Sequence, residues 1–255
     1  MTESLKADST VFVVGGSTGI GRGIADALLA DGRKVVIFSR SRPEGLESSP
    51  RLVWAPMDLT QPEESRNQLA EAVGRHGATL DAVFYSAIHY GAGRAPFLSV
   101  TELEWRRQLD VNLHGLWLTL QGTLPALSRR SPALFVGISS EVVYNAGPER
   151  SGYAATKAAA SSLLQSIAEE SAEPAVRIVQ LLPSGMVDTA GIRRRRPDDF
   201  DYSSYMQPSS FGRIAVELVR SRGEGLHGQS LVVTAEGEAE PVSLAPPVSQ
   251  SRRSV

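Results

Sequence analysis

The chain has 255 residues, 42% of them apolar and 21% charged, with a formal net charge of −2 at pH 7. That balance gives no basic surface for nucleic acid, and the absence of cysteine excludes disulfides, thiolate catalysis and a cysteine metal site. No run of 18 apolar residues occurs and the first ten residues hold no apolar signal core, so a cytoplasmic protein without a membrane partner is expected. The four histidines (His76, His89, His114 and His227) are scattered without H-x-x-x-H spacing, and no metal site is expected.

In chain order, residues 10–15 (T-V-F-V-V-G) form a β-branched and aromatic run that predicts a buried strand. The turn Gly15-Gly16-Ser17-Thr18-Gly19-Ile20-Gly21 follows, then a helix with apolar positions at helical spacing that ends at Gly32. Residues 34–40 (K-V-V-I-F-S-R) predict a second strand, which completes a βαβ unit. Glycines at such a strand-to-helix turn let the backbone approach a pyrophosphate, which the helix N-terminal amides then hold. The spacing is G-x-x-x-G-x-G, not the better-known G-x-G-x-x-G. The competing reading is an ordinary glycine-rich turn; the strand before and the helix after favour a nucleotide.

Residues 41–50 read as loop, 51–58 as a third strand ending at Asp58, 61–76 as a polar-faced helix and 81–87 as a fourth strand. A long helical pattern covers 99–129 with Asn112 in its middle, and 133–139 is a fifth strand. A helix from 152 to about 173 and a sixth strand over 176–183 come next. Residues 188–210 are irregular and charged, a candidate lid; 209–222 predict a helix and 230–234 a last strand. The expected organisation is a loose segment 1–8, one domain over 9–235, and a mobile tail over 236–255. Alternating strands and helices predict an α/β fold of Rossmann type, a single-domain doubly wound parallel sheet with helices on both faces.

The chemistry concentrates in residues 140–157. Tyr153 and Lys157 lie four apart, on one face of a helix. Ser140 closes the preceding strand, thirteen positions before the tyrosine. Lys157 is one of only three lysines among 26 basic residues. A hydroxyl from a strand end with a phenol and an amine from a helix makes an acid/base constellation. Taken singly, each of these is more often a buried tyrosine, a solvated lysine or a strand-end serine.

With those residues in place, the chain resembles the short-chain dehydrogenase/reductase family over about residues 9–235. The resemblance rests on V-G-G-S-T-G-I-G-R-G, Met57-Asp58-Leu59, V-N-L-H-G around Asn112, I-S-S ending at Ser140, Y-A-A-T-K and P-S-G-M-V-D-T. It implies nicotinamide-dependent oxidation of an alcohol or reduction of a carbonyl by Asn112, Ser140, Tyr153 and Lys157. In that scheme Tyr153 exchanges a proton with the substrate oxygen and Ser140 orients that oxygen. Lys157 supplies the charge that favours phenolate and holds the nicotinamide ribose, while Asn112 positions a water linked to the lysine. The implied cofactor contacts are Gly15, Ser17, Thr18, Gly19, Ile20, Gly21, Ser39, Arg40, Asp58, Leu59, Ala87, Val187 and Thr189, with Tyr153 and Lys157. NAD-using members carry an acid at the end of the second strand; Ser39 and Arg40 stand there, which suits the 2′-phosphate of NADPH better than NADH, with Arg22 assisting.

Three positions depart from the family pattern. Val14 replaces a threonine, Tyr85-Ser86-Ala87-Ile88 replaces N-N-A-G, and Ser184 stands where a proline is usual. Ile88 is expected to crowd the ribose. The substrate segments offer His89, Tyr144, Phe200, Tyr202 and Tyr205 and the arginines at 193–196, the last weighed as a solvated face against an anion site. The expected reaction is NADPH-dependent reduction of a small carbonyl compound. The alternatives are an NAD(P)+-dependent alcohol dehydrogenase, a redox-neutral isomerase or dehydratase, and a dinucleotide-binding sensor or scaffold that has lost turnover. A homodimer or homotetramer through the helices at 99–129 and 152–173 is expected.

Overall fold

The computed structural model describes residues 9–45 and 49–243. Eight strands make one sheet: β1 (Thr10–Val14), β2 (Lys34–Ser39), β3 (Leu52–Pro56), β4 (Leu80–Tyr85), β5 (Ala133–Ile138), β6 (Val176–Pro183), β7 (Ser230–Val233) and β8 (Ala239–Val242). Their order is β3-β2-β1-β4-β5-β6-β7-β8, and every pairing is parallel except β7 with β8. The helices are α1 (Gly19–Ala30), α2 (Pro62–His76), α3 (Glu102–Leu109), α4 (Gly115–Ser128), α5 (Ser151–Glu169), the single turn α6 (Ala190–Arg193) and α7 (Ser210–Ser221).

The central strands are mostly apolar because both faces of the sheet are covered; the exceptions are few, such as Asp81 in β4 and Gln180 in β6. Alternation along each strand sends Val11, Val13, Val35, Ile37, Phe84 and Val136 to one face, against Ile24 and Leu28 of α1 and Phe211 and Leu218 of α7. Phe12, Val36, Phe38, Val83 and Phe135 point to the other, against Leu69 of α2, Leu116 and Leu120 of α4 and Leu164 of α5. The chain leaves β3 at one edge and crosses back to β4 beside β1. The carboxyl ends of β1 and β4 therefore open onto a crevice at this reversal, where such sheets bind ligands.

Two expectations are corrected. The tail expected from residue 236 is not featureless: β8 pairs antiparallel with β7, Val233 opposite Ala239, through a turn closed by Thr234 N–H to Glu238 O (2.8 Å). Its sequence A-E-P-V lacks apolar alternation, since β8 is an edge strand with a half-exposed face that tolerates Pro241. Residues 244–255 of that expected tail, and the segment 1–8, lie outside the described residues. The helix expected over 99–129 begins later, at Glu102, where the Thr101 hydroxyl accepts from Glu104 N–H (3.2 Å). It is then interrupted by a π-helical segment, Asp110–His114, carrying Asn112.

Candidate active site

The crevice is a cleft of about 900 Å³. Its floor is the glycine turn between β1 and α1. Gly15 has φ +81° and Gly19 φ +59°, left-handed conformations that favour glycine. A Cβ on Gly15 would stand 2.5 Å from the Ala87 Cα, so the turn packs directly on the backbone after β4. Ser86 N–H meanwhile donates to Val14 O (2.8 Å), continuing the β1–β4 ladder past its end. The first turn of α1 has neither a side-chain cap nor an acidic residue, which leaves its amides open to an anionic ligand. Gly15, Ser17, Thr18, Gly19 and Ile20 all line the cleft, as do Ser39, Arg40, Asp58, Leu59, Ala87, Val187 and Thr189. Gly21 does not; its Cβ would meet the Gly15 carbonyl oxygen at 2.4 Å and the Ser86 Cβ at 3.0 Å, so it serves the close packing of α1 on the turn and on the segment after β4. These features fit a nicotinamide dinucleotide. Ile88 sits on the cleft wall.

At the end of β2, the Ser39 hydroxyl donates to Ser41 O (2.8 Å). Arg40 is exposed on the cleft rim and forms no ion pair or hydrogen bond among the described residues. Arg22 is committed elsewhere, to Asp26 (2.8 Å) and to Glu44 O (2.8 Å). Asp58 accepts from the backbone and hydroxyl of Thr60 (3.0 and 2.9 Å), which fixes its carboxylate at the rim.

On the opposite wall, β5 delivers Ser140 and α5 delivers Tyr153 and Lys157. The Ser140 hydroxyl donates to Glu141 Oε2 (2.7 Å), and Arg150 Nη1 donates to the other carboxylate oxygen (3.0 Å). Burial pushes the Tyr153 phenol well above the usual tyrosine range; the nearby Tyr90 adds to this, and contact with Ser140 opposes it. Lys157 is buried, its ammonium donating to Ile138 O (2.6 Å), and desolvation lowers its pKa from 10.5 to about 8. In this state the ammonium bonds a backbone carbonyl, and the protonated phenol is what the site holds.

Asn112 does not line the main cleft. Its side chain clamps the backbone of His89, accepting from His89 N–H (2.7 Å) and donating to His89 O (3.0 Å), and it donates to Thr156 Oγ1 (3.0 Å). One amide thus ties the loop after β4 to α5. Asn112 and Lys157 meet across a separate cavity of about 10 Å³, the size of one water, lined also by Ser139 and Gln180. His89 itself pairs with Glu104 (3.1 Å).

Several functional residues escape sequence reasoning. In the π-helical segment Gly115 N–H bonds Asp110 O, one residue further back than in an α-helix. The carbonyl of Val111 is thereby freed, and the buried Tyr85 hydroxyl donates to it. Tyr85, a departure from the family pattern, thus braces the segment that carries Asn112. Tyr90 packs on Tyr153 with ring centroids 5.1 Å apart and planes tilted by 42°, and the Arg195 guanidinium lies 4.2 Å over the Tyr90 ring. Only the aromatic character of 89–90 hinted at this contact.

A parallel sheet with a glycine turn at its reversal, facing a serine, a tyrosine and a lysine, defines a dinucleotide-dependent oxidoreductase. A family model described as short chain dehydrogenase matches residues 9–199, and the chain belongs to the short-chain dehydrogenase/reductase family. An uncharacterized oxidoreductase of Staphylococcus aureus (strain MW2) is 31% identical over 198 residues, covering 75% of this chain and 84% of that protein. Among solved structures, a ligand-free aldohexose dehydrogenase of Thermoplasma acidophilum superposes with TM-score 0.77 at 24% identity, covering 98% of this chain and 99% of that one. A 3-ketoacyl-(acyl-carrier-protein) reductase of Brucella melitensis complexed with NADH gives 0.78 at 20% identity, covering 92% and 100%. At such identities the structures share the fold.

Proposed function

We propose that the protein reduces a small carbonyl compound to the corresponding alcohol, with NADPH as hydride source and Tyr153 as proton donor. The observation that carries this reading is the placement of the Tyr153 phenol on the cleft wall beside Ser140, one helical turn from the buried Lys157 ammonium. A protonated donor is the form that carbonyl reduction consumes. Bound NADPH would supply the hydride.

The residues divide the remaining work. Ser140 holds the substrate oxygen against the phenol once its hydroxyl turns from Glu141, and the aromatic wall of Tyr90 excludes water. Tyr153 releases its proton to that oxygen, and Lys157, charged one helical turn away, stabilises the phenolate left behind. Asn112 keeps α5 and the β4 loop in register through Thr156 and His89. Arg40, exposed and without a partner among the described residues, supports the choice of NADPH, since no carboxylate at the end of β2 repels a 2′-phosphate.

Titration of NADPH and NADH, followed by nucleotide fluorescence on wild type and Arg40→Ala, tests the cofactor assignment. The expected result is a loss of roughly tenfold to a hundredfold in NADPH affinity with NADH affinity held, the size of a charge-assisted contact. A carbonyl screen with Tyr153→Phe as the blank tests the reaction. The variant should bind NADPH as wild type does and lose roughly 10²- to 10⁴-fold in kcat. Wild-type turnover by Tyr153→Phe would sink the mechanism. The same reading includes a homodimer or homotetramer: Leu103, Trp105 and Trp117 of α3 and α4 are exposed apolar side chains. A monomeric mass by light scattering at micromolar concentration would remove that part.

A further inference from the structure

Four consecutive arginines follow β6, and the structure gives them different surroundings. Arg193 forms a two-pronged pair with Asp188 (2.6 and 2.6 Å) and lies 4.5 Å over the Tyr202 ring. Arg194 is exposed. Arg196 lies 5.2 Å over Phe200 and reaches the Tyr205 hydroxyl at 3.5 Å. Arg194 and Arg196 both reach the cleft wall, Arg194 from solvent and Arg196 from its seat on the lid aromatics, while Arg193 is neutralised by Asp188.

Arg195 is different. It lines the cleft half-buried beside the catalytic wall, with Nε fixed on Gly191 O (3.0 Å) and its guanidinium carbon 4.2 Å over the Tyr90 ring. Both terminal nitrogens of the fork stay without a hydrogen-bond partner, and no carboxylate among the described residues pairs with it. The groups that face it are Tyr90, Tyr153, Arg194 and Arg196, none an anion at neutral pH, and burial lowers its pKa. Four acids line the same cleft: Glu141 is held by Arg150 and Ser140, Glu104 by His89 and Arg107, and Asp58 by Thr60, while Glu149 is exposed and forms no ion pair with Arg195. A guanidinium drawn partly out of water without a counterion is unfavourable unless a ligand supplies the charge. Its planar fork matches a carboxylate with two parallel hydrogen bonds.

We propose that Arg195 is the anion-binding group of the substrate pocket, and that the substrate is a small carbonyl compound bearing a carboxylate. The inference rests on the reductase reading and specifies its substrate class. The two contact distances, 4.2 Å from the guanidinium to the Tyr90 centroid and 5.1 Å from there to the Tyr153 centroid, put the cation no more than about 9 Å from the Tyr153 ring. The carboxylate therefore sits within a few bonds of the carbonyl. It passes through the reaction unchanged; the carbonyl carbon gains hydride and its oxygen the Tyr153 proton.

The test compares matched substrates with NADPH: 4-oxobutanoate against butanal, and 4-oxopentanoate against 2-pentanone, on wild type, Arg195→Ala and Arg195→Lys. Calorimetric titration of pentanoate into the NADP+-loaded proteins gives a readout without turnover, and NADPH titration shows that each variant is folded. Wild type should prefer the anionic member of each pair by roughly tenfold to a hundredfold in kcat/KM. Arg195→Ala should collapse that ratio and abolish pentanoate binding, with Arg195→Lys intermediate because an ammonium lacks the fork. Turnover with the same ratio in wild type and Arg195→Ala overturns the inference and leaves the reductase reading standing. Arg195-dependent pentanoate binding with no turnover of any carbonyl removes the reductase reading and keeps the anion site. Failure of wild type to bind pentanoate removes the site.

Discussion

Replacing Lys157 with methionine should change the pH dependence of stability in a direction the structure fixes. The folded lysine loses its proton near pH 8, against 10.5 in the absence of burial. Between those values the unfolded chain binds more protons than the folded one, so raising the pH stabilises the wild type. The desolvation cost is fully present below pH 8, amounts to about 3 kcal/mol, and is relieved as pH climbs toward 10.5. Lys157→Met has no such term. From pH 7 to pH 9.5 the wild type should therefore gain about 2 kcal/mol relative to the variant. At pH 7 alone the comparison is uninformative, since removing the charge also leaves Ile138 O without its 2.6 Å donor, a loss of about 1–3 kcal/mol. Urea unfolding by circular dichroism at both pH values, without nucleotide, measures the difference. Parallel pH profiles, or a wild type that weakens relative to the variant, would refute a desolvated lysine at this position.

The remaining predictions concern how the cleft is built. Gly15→Ala combines a left-handed backbone with a Cβ pressed on Ala87, and should cost about 2 kcal/mol or more, lowering the melting temperature by roughly 4–8 °C. An unchanged melting temperature would show that the turn can move off the β4 loop. Tyr85→Phe removes the donor from Val111 O inside the core, and should cost about 1–3 kcal/mol in urea unfolding. A loss below about 0.5 kcal/mol would mean that the carbonyl regains an α-helical partner and that the tyrosine does not hold the π-helical segment.

The elements whose signals are local were legible in the amino-acid order. Strand β6 falls on residues 176–183 as expected, because a strand covered on both faces is predominantly apolar and only Arg177 and Gln180 interrupt the run. The glycine turn and the Tyr153–Lys157 pair were legible for a related reason: spacing within one turn or one helix decides which groups face together. What the sequence could not carry depends on partners distant along the chain. Strand β8 exists because β7 offers an open edge, and nothing in A-E-P-V announces it. The π-helical segment depends on Tyr85, 26 residues before Val111, to satisfy the carbonyl it frees. The arginines at 193–196 look alike in sequence. Asp188, Phe200 and Tyr90 separate them in space, and Arg195 is the one seated in the cleft on Tyr90, next to Tyr153, without a carboxylate partner among the described residues. Periodicity sets the framework and the Tyr153–Lys157 pairing, whereas burial and long-range contact set each side chain's charge state and its free bonding capacity.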